Sequence, residues 1–82
     1  MRSPARQRVA CHLLDLAAEW QRGSKLLAPV SQQELADAVG TVREVVARVL
    51  RELREAGLVE TTRSGVLITD PAGLHDEVGS GK

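Results

Sequence analysis

The chain has 82 residues, 43% of them apolar, and its 11 basic and 11 acidic side chains leave no formal net charge. That length holds one domain with a small core; one cysteine gives no disulfide framework and fits a reducing cytosol, and Trp20 as sole aromatic excludes base stacking on an aromatic platform. The balanced charge counts against nucleic-acid binding without excluding it, since the face presented to a partner decides, and no apolar run approaches the ~20 residues of a membrane span, so a cytoplasmic location is expected.

Residues 1–8, MRSPARQR, are basic and polar. From Ala5 to Arg22, the apolar residues Val9, Leu13, Leu16, Ala17 and Trp20 recur at helical spacing, and Leu14 and Ala18 widen the apolar arc. A helix over 5–22 is expected, with Trp20 as a core anchor and Gly23-Ser24 as its stop. LLAPV (26–30) reads as a short extended connection, a short strand in the element order, because Pro29 biases Ala28 away from helical angles.

Ser31 and Glu34 form a capping-box pattern, which predicts a helix over 32–39 with Leu35, Ala36 and Val39 on its buried side. Gly40 ends it, supplying backbone freedom that a residue with a Cβ lacks. Thr41 and Glu44 repeat the capping pattern at once. Two helix starts separated by one glycine predict two helices meeting at a sharp angle. The second helix, expected over 42–56, carries Val42, Val45, Val46, Val49, Leu50 and Leu53 as a full apolar stripe.

Gly57 reads as the next stop. LVETT (58–62) and VLIT (66–69) read as two short strands around a tight RSG turn, giving a hairpin over 58–69. Asp70-Pro71 resembles an N-cap followed by proline at the first helical position, opening a short helix over 71–78. GSGK (79–82) is expected to be a flexible tail. The fold class expected from this order is mainly α with a small β-hairpin: a winged helix–turn–helix with a three-helix core, a wing and a short C-terminal helix.

The polar side of the 42–56 helix is informative. Arg43, Glu44, Arg48 and Arg51 project opposite the stripe, with the small Ala47 among them, so this face can lie flat on a surface while the long side chains reach around it. An arginine can fork onto O6 and N7 of guanine, and a glutamate can accept from the amino group of cytosine. A helix end entering the major groove also brings free N–H groups and partial positive charge toward phosphate. On most amphipathic helices such charges are a solvated surface with i,i+4 pairs, here Arg48–Glu52 and Arg51–Glu55. The helix–turn–helix context and the following hairpin favour the DNA-reading alternative.

The segments VSQQELADAVGTVREVVARVLRELREAGLVE (30–60) and GVLITDPAGL (65–74) resemble the DNA-binding domain of the Crp/Fnr family of bacterial transcription regulators, with a likeness running from about Ala5 to Val78. The resemblance implies sequence-specific binding of double-stranded DNA, with Arg43, Glu44 and Arg48 reading bases of a G-rich half-site. It implies contact with the DNA backbone at Gln33, at Thr41, and at Thr62, Arg63 and Ser64 of the wing tip. Relatives often flank the Arg-Glu pair with hydroxyl residues; Val42 and Val45 stand there instead, so hydroxyl contacts to phosphate are missing. The family's N-terminal sensor domain and long dimerisation helix lie outside these residues, and the chain is expected to be the DNA-binding part of a longer protein. That parent would be a homodimer on a palindromic site, with RNA polymerase as a further partner and its effector held by the sensor domain. No cofactor is expected in this domain.

Elsewhere, Arg6 and Arg8 either approach the DNA backbone or solubilise the terminus. Cys11 is expected to be a small buried residue. Cys11 and His12 are neighbours on a helix and face different ways, with His75 far off, so no metal site is expected. No nucleophile–base set or phosphate-binding glycine loop can be assembled, and the chain is not read as an enzyme. Two other readings stay open: a winged helix that binds protein rather than DNA, favoured by the balanced charge and by Glu52, Glu55 and Glu60 near the wing, and a dimerisation module built on the first helix; the mark of either would be an exposed apolar patch on helix 5–22.

Overall fold

A computed structural model of the chain describes residues 4–19 and 26–79. In order, these form α1 (Pro4–Glu19), β1 (Leu26–Ala28), α2 (Gln32–Val39), α3 (Arg43–Glu55), β2 (Val59–Thr62), β3 (Gly65–Ile68) and α4 (Pro71–Gly79). Trp20, the expected core anchor, lies outside the described residues, as do the Gly23-Ser24 stop and residues 80–82 of the expected tail.

The core is one contiguous cluster. Val9, Ala10, Leu13 and Ala17 of α1 meet Leu35 and Ala36 of α2 and Val46, Val49, Leu50 and Leu53 of α3, and the sheet closes the cluster with Val59, Val66 and Ile68. Leu13, Leu35, Leu50, Leu53 and Leu74 are the largest fully buried side chains, each stabilising the fold by roughly 1.5–3 kcal/mol. The buried arc of α1 is narrower than its sequence pattern suggests: Leu14 and Leu16 are half-buried, while Ala18 is exposed.

The wing is larger than a hairpin. β1 pairs antiparallel with β3 (Leu26 opposite Ile68, Ala28 opposite Val66), and β2 pairs with the other side of β3 (Val59 opposite Ile68, Thr62 opposite Gly65), giving the order β1-β3-β2. The short strand expected over this run thus forms an edge of the sheet, and it ties the start of the helix–turn–helix to the wing. Gly65 makes this closeness possible. A Cβ there would collide with the Ala28 carbonyl oxygen and lie 2.8 Å from Pro29 Cα and 2.9 Å from Val30 N.

Local chemistry sets the helix ends. At α2 both halves of the capping box form: Ser31 Oγ accepts from the Glu34 N–H at 3.1 Å, and Glu34 Oε1 accepts from the Ser31 N–H at 2.9 Å. Gly40 then takes the left-handed conformation (φ 74°, ψ 38°), which a Cβ would disfavour. At the end of α3 the Leu58 N–H donates to the Leu53 carbonyl at 3.0 Å and the Gly57 N–H to the Arg54 carbonyl at 2.9 Å. Those two bonds are a Schellman motif. Asp70 Oδ1 accepts from the Gly73 N–H at 3.1 Å and caps α4, with Pro71 at the first helical position.

The second capping box does not form. The N-cap of α3 is Val42 (φ −105°, ψ 156°), which makes no side-chain cap bond. The reason lies in the turn: the Thr41 N–H donates to the Ala36 carbonyl at 2.9 Å, holding Thr41 to the end of α2. The helix therefore starts one residue later, and Val42, expected to open the buried stripe, is 61% exposed.

Candidate nucleic-acid interface

α3 divides cleanly into two sides. Val46, Val49, Leu50 and Leu53 are at most 1% exposed, whereas Arg43, Glu44, Arg48 and Arg51 are exposed and Ala47 is half-buried between them. The buried side holds the helix against α1 and α2, so the outer side is carried on a rigid support. Its first turn offers donors from Arg43, an acceptor from Glu44 and the bare aliphatic side chain of Val42.

Arg48 is loosely tethered. Its Nε lies 4.0 Å from Glu52 Oε2, and the other carboxylate oxygen, Oε1, accepts from Arg6 Nη1 at 3.1 Å. Because Arg6 occupies one side of Glu52, that carboxylate only partly offsets the charge of Arg48. An exposed pair at this distance is worth little, and the guanidinium stays available to a partner.

The expected backbone contacts fall in two places. Gln33 is exposed at the start of α2, where its Nε2 donates to Asp37 Oδ1 at 3.1 Å. Thr41 is half-buried in the turn. Thr62, Arg63 and Ser64 are exposed at the wing tip, which is stiffened from within: Thr62 Oγ1 donates to the Gly65 carbonyl at 3.0 Å and accepts from the Ser64 N–H at 3.2 Å. An open groove of about 330 Å³ links the wing tip to the start of α2, lined on one side by Thr62, Arg63 and Ser64 and on the other by Ser31 and Glu34. The structure thus brings the wing tip and the N-terminal end of α2 together, while Arg43, Glu44 and Arg48 form the separate face on α3.

Two sequence expectations, for Arg6 and Cys11, need correction. Arg6 neither faces outward nor merely solubilises the terminus: it pairs with Glu77 of α4, itself only 6% exposed, and with Glu52 of α3. Arg8, by contrast, stays exposed, with its Nη1 3.5 Å from the Val39 carbonyl at the end of α2. Cys11 is exposed rather than buried, because α1 packs through Val9, Ala10, Leu13 and Ala17 and turns Cys11 outward. The cluster of Arg6, Glu52 and Glu77 has no signal in the sequence, where its members stand far apart.

A family model, the Crp-like helix-turn-helix domain, matches residues 7–77. The chain belongs to this family. It is 40% identical over 80 residues to the transcriptional regulator LdrP of Thermus thermophilus, a match that covers 92% of this chain and 40% of that protein. It is 38% identical over 58 residues to the nitrogen fixation regulation protein FixK of Rhizobium meliloti, covering 71% of this chain and 28% of that protein. Among solved structures, the CRP-family transcriptional regulator TTHB099 of Thermus thermophilus superposes with a TM-score of 0.84 at 37% identity, covering 95% of this chain and 42% of that one. The chain therefore spans about 40% of the length of the relatives that match nearly all of it. These relatives are transcription regulators of the Crp/Fnr type, not enzymes, and the mainly helical fold with a three-stranded antiparallel sheet is the Crp-like winged helix–turn–helix.

Among the described residues the one exposed large hydrophobic is Val42, which is not on α1. No described helix is long and apolar enough to cross a membrane.

Proposed function

We propose that this Crp-like domain binds double-stranded DNA sequence-specifically, placing the N-terminal half of α3 in the major groove. Arg43 and Arg48 donate to guanine O6 and N7, and Glu44 accepts from a cytosine amino group, each good pair discriminating by roughly 1–3 kcal/mol. Gln33, Thr41, Thr62, Arg63 and Ser64 hold phosphates on either side, with the wing-tip groove following the backbone. In a longer parent the domain would act as one half of a cytoplasmic homodimer on a palindrome, with half-sites on the order of 34 Å apart, and RNA polymerase would be a further partner. The observation that carries this reading is the outer face of α3, where Arg43, Glu44 and Arg48 are exposed together directly behind a fully buried side.

Fluorescence anisotropy at low salt tests it. The chain is titrated against a duplex bearing an inverted repeat of a TGTGA-like half-site, against a scrambled duplex, and as the Arg43→Ala variant. Binding is expected to be weak, because nothing in these residues makes the second half-site an intramolecular target. The repeat should nonetheless be preferred over the scramble, and Arg43→Ala should erase that preference. Three coincident curves would instead favour the protein-binding winged helix, which the zero net charge also suits.

A further inference from the structure

We propose that Val42 reads the 5-methyl group of a thymine next to the base contacted by Arg43, and so sets base preference at that step. This rests on the DNA reading above. A single exposed aliphatic side chain is ordinary on a protein surface. Val42, however, breaks two local rules at one position. It is 61% exposed, the one large hydrophobic so exposed among the described residues. It also occupies the N-cap of α3 without forming a cap bond, a position where Ser, Thr, Asp and Asn stabilise and Val does not. Places where a sequence departs from its local rules with no gain to the fold are where function is expected.

The chemistry narrows the target. An isopropyl group offers neither donor nor acceptor, so the amino groups, ring nitrogens and carbonyl oxygens of the groove give it nothing. Thymine alone among the four bases presents a methyl in the major groove. Val42 directly precedes Arg43 and Glu44, and its extended backbone (φ −105°, ψ 156°) sets it at the very tip of the helix those residues open. The polar pair takes base edges, and the valine takes the apolar feature beside them.

The test selects its own target site. The full chain and its Val42→Ser variant are each used to select duplexes from a random pool, and the wild-type site is then made with each thymine in turn replaced by uracil, which lacks only the methyl. One replacement should weaken wild-type binding about 3- to 4-fold, the worth of one buried carbon. Val42→Ser should ignore that replacement while still preferring the site to a scramble. Thermal melting checks that the variant folds, and a midpoint at or above that of the wild type is expected, since serine can cap α3. The assignment is overturned if the wild type prefers its site but no uracil weakens it, or if Val42→Ser is weakened equally. Absence of any preference for the selected site would sink the DNA reading itself, and this assignment with it.

Discussion

Arg6 pairs with Glu77, 71 residues further along the chain, and the carboxylate it holds is almost wholly buried. The same guanidinium donates to Glu52 of α3 at 3.1 Å. One side chain of α1 therefore binds the helix that carries the candidate base-reading face and the helix that ends the described structure. Glu52 in turn lies 4.0 Å from Arg48 through its other carboxylate oxygen.

Removing Arg6 should weaken the hold on a buried charge. Arg6→Ala is expected to cost roughly 1.5–3 kcal/mol, because a buried carboxylate loses a charged hydrogen-bond partner. Replacing both partners with apolar residues, Arg6→Met with Glu77→Leu, should recover most of the loss. Urea unfolding of the single and double variants measures both; a single variant within about 0.5 kcal/mol of the wild type, the range of an ordinary surface substitution, would show that Glu77 is held without Arg6.

Glu52→Gln should separate stability from binding. It removes a partner of Arg6 and should lower the unfolding midpoint. It also removes the carboxylate beside Arg48, and the affinity for a preferred duplex at low salt should rise roughly two- to five-fold, the worth of an exposed ion pair. Stability and affinity moving in the same direction would mean that Glu52 positions Arg48 rather than competing for it.

These relationships also show what sequence alone can supply. The Ser31–Glu34 box, the Gly40 turn, the Asp70 cap and the buried side of α3 are all local, and each is legible because one or two helical turns contain the whole interaction. Val42 escapes such a reading for an equally local reason. Helical period assigns it to the apolar stripe, but a period carries no information on where the helix begins, and the hydrogen bond from Thr41 to Ala36 shifts that start. The extended character of β1 is legible from Pro29, but its pairing with β3, some 40 positions away, is not. The Arg6–Glu77 contact is longer still in range. The outer face of α3 is visible from residue types, whereas the groove between the wing tip and α2 emerges only once β1 draws the two together.

The two glycines that shape this region should respond differently to alanine. Gly40 has a φ of 74° with open space where a Cβ would go, so Gly40→Ala should cost only the left-handed backbone term, about 1–2 kcal/mol. Gly65 has a φ of 141° and backbone atoms of Ala28, Pro29 and Val30 against it. Gly65→Ala should therefore cost more and also pull β1 from β3. Amide hydrogen exchange at Leu26–Ala28 should accelerate in this variant alone.

Salt dependence distinguishes the wing from the recognition helix. If Arg63 neutralises a phosphate, Arg63→Ala should weaken binding to preferred and scrambled duplexes alike and reduce the slope of log affinity against log salt by about 0.9. If Arg43 reads a base, Arg43→Ala should leave most of the scrambled-duplex affinity in place and remove the excess affinity of the preferred site, roughly 1–3 kcal/mol. Anisotropy titrations at several salt concentrations on both duplexes give slope and preference together. The decisive pattern is a crossed one, slope lost in one variant and preference in the other. An unchanged slope in Arg63→Ala would remove the wing tip from the phosphate contacts and leave the groove beside α2 without a charged anchor, since the charged side chain on its other wall, Glu34, is acidic and already engaged in capping α2.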